Sequence, residues 1–106
     1  MKGLGGMQKL MQQANQMQSR MKKVQEELAT REFEGVSGGG AVIAKVNGAN
    51  QVLSIEIKKE IFESGDAEIL QDMVKASVND ALKNAHDTSQ KEMQKITGGI
   101  NMPGMF

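Results

Sequence analysis

Met7, Leu10, Ala14, Met17, Met21, Val24 and Leu28 follow one another at spacings of 3, 4, 3, 4, 3 and 4 residues in a chain of 106. This is an a/d heptad seam, and it predicts a helix from about Met7 to Ala29. A stripe that narrow is buried by a second helix lying lengthwise on it, so the chain needs another long helix. One is available. From about Ala67 to Ile96, residues Ile69, Met73, Val74, Val78, Ala81 and Ala85 share a wide apolar face, which thins after Ala85 to Met93 and Ile96. Asp66 is a suitable N-cap, Glu68 suits the positive end of the helix dipole, and Gly98-Gly99 stops the helix. Gly3, Gly5 and Gly6 imply a loose start to the first helix.

Between the helices the period changes to two. A strand near Arg31–Val36 is broken by SGGG, and AVIAKVN forms a second strand. NGAN makes a hairpin turn, with Asn-Gly tolerant of positive φ. QVLSIEIK is the third strand, Leu53, Ile55 and Ile57 alternating with Val52, Ser54 and Glu56. The second strand is apolar on both faces, with Val42, Ala44 and Val46 on one side and Ala41 and Ile43 on the other. Both faces therefore need cover, and Val42, Ile43, Ala44 and Val46 are expected to meet a second copy in a homodimer. KEIFESGD is a connector with room for a single helical turn.

The expected fold is α+β: an α-β-β-β-α subunit with a three-stranded antiparallel sheet, forming one domain over residues 1–106 with a loose 1–6 segment and a flexible 98–106 tail. About 30 helical residues span roughly 45 Å, whereas strands of this length span about 20–25 Å. Both helices must overhang the sheet. Paired antiparallel, with Met7, Leu10 and Ala14 near Met93 and Ile96, they form a projecting arm.

The chain carries 13 basic and 13 acidic residues, yet the charges are segregated. Residues 1–31 hold six basic and two acidic side chains, and residues 59–97 hold five basic and eight acidic ones. From Met1 to Gln25 there is no acid. Lys2, Lys9, Arg20, Lys22 and Lys23 stand instead among Gln8, Gln12, Gln13, Gln16 and Gln18. Lysine and arginine attract phosphate, and amides donate to it without repulsion. Lys9, Arg20, Lys22 and Lys23 all lie off the seam, so they are candidate phosphate contacts. Lys83, Lys91 and Lys95 would extend that surface from the second helix, although Asp80, Asp87 and Glu92 offer them intrahelical partners.

Other chemistry finds little support. There is no Cys, and His86 is the sole His. Glu56, Glu60, Glu63 and Asp66 match no calcium-loop spacing. The three glycines at 38–40 precede no helix and lack the phosphate-loop lysine, so they read as a turn needing positive φ. No nucleophile, base and oxyanion set converges. An enzyme, a bound cofactor, a metal, a small-molecule substrate and a membrane anchor are therefore not expected. No Trp or Tyr offers a stacking platform for unpaired bases, which favours duplex DNA. Nine methionines supply soft core volume.

EGVSGGGAVIAKVNG, followed by a strand ending in IEI, resembles the signature of the YbaB/EbfC family of bacterial nucleoid-associated proteins. GMQKLMQQANQMQSRMKKVQEEL is similar to that family's first helix, and GGINMPGMF resembles its tail, with only Pro103 where two prolines are common. The resemblance implies a cytoplasmic, nucleoid-associated homodimer whose paired helical arms grip double-stranded DNA with little sequence preference. A protein-interaction scaffold or small chaperone, its arms clasping a partner helix, is the alternative.

Overall fold

The computed structural model describes residues 2–98. Helix α1 runs Lys2–Thr30, followed by β1 (Glu32–Ser37), a 3-10 turn (Gly38–Gly40), β2 (Val42–Asn47), β3 (Val52–Ile57), the short α2 (Lys59–Glu63) and α3 (Ala67–Thr97). The order is the expected one, and the sheet is antiparallel in the order β1-β2-β3. Residues 99–106 of the expected tail lie outside the described residues.

Helix α1 begins at Lys2 rather than at Met7, with Gly3, Gly5 and Gly6 inside it. Glycine costs a helix about 1 kcal/mol against alanine, but extending an existing helix adds one hydrogen bond per residue. At α3, the Asp66 carboxylate accepts from the Ile69 amide at 3.1 Å. Gly98 ends the helix at a φ of 65°. The glycine run 38–40 is a turn of the expected kind, all three residues having positive φ.

The hairpin turn differs from expectation. Its positive-φ residue is Asn50, not Gly48. The Asn47 side chain organises it, its Oδ1 accepting from Ala49 at 3.0 Å and from Gln51 at 3.1 Å. Gly48 serves packing instead: a Cβ there would overlap the Leu28 carbonyl at the end of α1. The glycine is thus what lets the hairpin touch that helix.

Register places Phe33 opposite Val46, Gly35 opposite Ala44 and Ser37 opposite Val42. These pairs form the face under α3, which lies across β1 and β2. Leu28, Phe33, Ala44, Val46, Ala81 and Ala85 make the core, with Val24, Val78 and Leu82 packed on it. Helix and sheet meet closely at Gly35, where a Cβ would overlap the backbone of Ser77 and Ala81. The free edge of β1 is bonded to the same helix. Val36 donates its N–H to the Asp80 carboxylate at 3.0 Å, and the Asn84 side-chain amide donates to the Glu34 carbonyl at 2.8 Å.

This arrangement corrects the expected subunit contact. Val42, Ala44 and Val46 are each 0% exposed within the single chain. They are covered by their own helix and have no area left for a partner. Ile43 lies on the opposite face, half-buried, paired with Val36 and Glu56. Within the sheet, uncovered apolar side chains are concentrated on β3. Val52, Leu53, Ile55 and Ile57 are 49, 47, 39 and 38% exposed. A register shift between Lys45 and Val46 leaves Leu53 as an extra residue in β3.

The arm is also staggered. The molecule measures 76 × 21 × 17 Å, far longer than either helix, at about 45 Å. On α1 the buried seam residues are Met21 and Leu28, with Met17 and Val24 half-buried; on α3, Met93 and Thr97 are buried. Glu92 shares a surface depression with Val24, Glu27, Leu28 and Arg31, so the second half of α3 lies beside the C-terminal part of α1. Met7, Leu10 and Ala14 are exposed rather than paired with Met93 and Ile96. The sheet supports the first half of α3, so that helix's overhang is used up against the second half of α1.

Candidate nucleic-acid interface

Every side chain from Gly5 to Gln16 is exposed, as are Arg20, Lys22 and Lys23. Lys9 and Lys23 lie 14 positions apart in the chain, about 21 Å along the axis. The helix thus offers an extended set of positive charges. Arg20 and Lys22 flank the buried Met21, and Lys23 is two positions beyond it. A helix turns about 100° per residue, so Arg20 and Lys22 leave α1 on opposite flanks of the contact with α3 and Lys23 on its outer side.

Ion pairing separates the candidates. Among the described residues the ion pairs are Lys59–Glu63 and Lys95–Glu92. Lys9, Arg20, Lys22 and Lys23 have no ion-pair partner among those residues; no acid precedes them on α1, and Glu26 and Glu27 follow one turn beyond Lys22 and Lys23. Lys95 reaches Glu92 at 3.2 Å, the intrahelical pair anticipated for it. Lys83 and Lys91 are exposed and make no such pair. The carboxylate of Asp80, expected beside Lys83, is held by the Val36 amide instead. Lys83 and Lys91 stand two positions from the buried Ala81, Ala85 and Met93, about 200° around α3 and so on its outer side. Lys23 of α1 and Lys83 and Lys91 of α3 therefore occupy the backs of two adjacent helices rather than a single cleft.

Arg31 belongs to the base of the arm. Its guanidinium lies 5.4 Å from the Phe33 ring centroid, a cation–π distance. His86 is exposed on α3. No cluster of His, Cys, Asp or Glu among the described residues is arranged to hold a metal, and no helix among them is long and apolar enough to cross a membrane.

Two features escaped the sequence reading. The Asp80–Asn84 clamp on β1 was signalled only by two short polar residues one turn apart on α3. The exposed β3 surface was signalled by Leu53, Ile55 and Ile57, but which strand the helix would cover could not be read from alternation.

Comparison with known proteins points one way. Residues 2–100 match the model of the YbaB/EbfC DNA-binding family. A nucleoid-associated protein of Clostridium novyi is 49% identical over 107 residues, spanning 98% of this chain and 94% of that protein. One from Pelotomaculum thermopropionicum is 48% identical over 102 residues, spanning 96% and 97%. An uncharacterized protein of Helicobacter pylori has the same fold, with a TM-score of 0.67 and 22% identity over 90% of this chain and 94% of that one. Exposed cations on a helix without acid before Glu26 accord with that family's described activity, and the match spans nearly the whole chain: it belongs to the YbaB/EbfC DNA-binding family.

Proposed function

We propose that this protein is a nucleoid-associated, non-enzymatic DNA-binding protein that grips duplex DNA as a homodimer, mainly through phosphate contacts and with little sequence preference. The observation that carries this reading is the set of Lys9, Arg20, Lys22 and Lys23, exposed and without an ion pair among the described residues, on a helix without acid before Glu26. Lys83 and Lys91 add a second, separate set of exposed cations on the outer side of α3. Phosphate contact releases counterions, so affinity falls steeply with salt.

The homodimer is supported by β3. It is an edge strand whose apolar side chains are left uncovered by α3, and open apolar edges are a hazard in a monomer. A second copy seated there buries that surface and sets two arms on one body. Binding of this kind is consistent with a cytoplasmic location at the nucleoid and with effects on gene expression and nucleoid organisation.

A second reading is favoured by the exposed Met7, Leu10 and Met11, at 62, 66 and 64%. An arm ending in soft apolar side chains suits a scaffold or small chaperone that clasps a partner helix. Gel shifts with unrelated duplexes at 50 and 200 mM salt discriminate the two. Phosphate binding by six or more contacts predicts roughly a thousandfold loss between those salt concentrations. Salt-independent binding, or no binding to any duplex, favours the clasp.

A further inference from the structure

The first half of α1 is a bare helix. Residues 5–16 are all exposed, and the first seam residue shielded at all is Met17. A single helix with its side chains is about 10–12 Å across, close to the roughly 12 Å width of the B-DNA major groove. Two packed helices are too wide to enter. The free half of α1 therefore has the right dimension for the groove, whereas the two-helix part of the arm does not.

Its side chains are arranged to match. Gln8, Met11, Gln12 and Asn15 occupy positions i, i+3, i+4 and i+7, one face of a helix. Lys22 and Lys23 continue that face further along, and no acid interrupts it before Glu26. In the major groove, Gln and Asn pair with the N6 and N7 edge of adenine, and apolar side chains contact the thymine methyl. From Gln8 to Asn15 the helix rises about 10 Å, roughly three base-pair steps.

We propose that the free half of α1 lies in the major groove, with Gln12 and Asn15 on adenine edges, Met11 against a thymine methyl, and Lys22 and Lys23 on phosphates at the groove's rim. This rests on the DNA-binding reading above and adds to it a modest preference for A·T pairs, read by an uncharged face. The exposed Met11 contributes discrimination there.

The test is fluorescence anisotropy of the full chain on duplexes of one length: an A·T-rich sequence, the same sequence with 7-deazaadenine or with uracil for thymine, and a G·C-rich sequence. Removing the adenine N7 acceptors weakens binding by about fivefold or more. Removing the thymine methyls weakens it by about threefold. Gln12→Ala with Asn15→Ala abolishes the 7-deazaadenine effect and leaves the salt slope unchanged, because no charge is lost. Circular dichroism confirms the helix, alanine being the stronger helix former. Equal binding of natural and 7-deazaadenine duplexes, with Lys22→Glu and Lys23→Glu still weakening both, overturns the groove proposal and leaves phosphate binding standing. Failure of the parent chain to bind any duplex overturns both.

Discussion

Asp80 on α3 accepts the backbone N–H of Val36 on β1 at 3.0 Å, so a helix side chain does for this sheet edge what a further strand would do. Asn84 repeats the device one turn on, donating to the Glu34 carbonyl at 2.8 Å. The two edges of the sheet thereby become different. The β1 edge is bonded to α3, while β3 keeps an exposed apolar row. The proposed subunit contact rests on that asymmetry.

Replacing Asp80 and Asn84 together by alanine removes both bonds from the β1 edge. Partly exposed hydrogen bonds contribute about 1 kcal/mol each, so a loss of about 2 kcal/mol is expected in urea unfolding. Hydrogen exchange at Val36 should rise more than at β2 amides. Unchanged protection there would show that the clamp contributes nothing.

Gly35→Ala and Gly48→Ala each place a methyl into backbone, that of Ser77 and Ala81 in one case and that of Leu28 in the other. Overpacking of this kind costs about 1–3 kcal/mol, and more where backbone cannot yield. Gly5→Ala is the contrast. Nothing lies within 4 Å of a Cβ there, and helix propensity improves. Thermal denaturation should therefore lower Tm for the first two substitutions and leave it equal or raised for the third.

Leu53→Glu tests the proposed homodimer. Leu53 is 47% exposed in the single chain, so a carboxylate there finds water and the subunit stays folded. Against a second copy's β3 it is buried without a partner, and sedimentation equilibrium should show monomer at concentrations where the parent chain is dimeric. Retained dimerisation would exclude β3 as the contact.

Lys22→Glu with Lys23→Glu replaces two attractions by repulsions in each subunit. Both residues are exposed and off the seam, and glutamate is a good helix former, so fold and association should persist. DNA binding should drop steeply on every duplex, with the salt slope shrinking by up to about four for a dimer. Glu60→Lys, on the exposed connector helix α2, is the control expected not to weaken binding. If the double variant binds as the parent does, the cation set on α1 is an ordinary solvated face.

Periodicity alone determined most of the architecture. The 3-4 spacing from Met7 to Leu28 and the wide face from Ile69 to Ala85 specify two long helices, and alternation around NGAN specifies a hairpin. These patterns are legible because secondary structure repeats along the chain. The exclusion of acids from the first 25 residues likewise marked the charged helix without any coordinates. Tertiary structure decided what no repeat encodes: how far one helix slides along the other, and which strands a helix covers. The seam from Met7 to Leu28 is continuous in sequence, but α3 reaches only its second half because the sheet takes up the rest of that helix. Val42, Ala44 and Val46 look like Leu53, Ile55 and Ile57 in hydropathy. Gly35 brings α3 down over β1 and β2, and so the first set became core while the second remained surface. Burial is a property of the whole packed chain, and a difference of one strand's width separates a core residue from a contact offered to a partner.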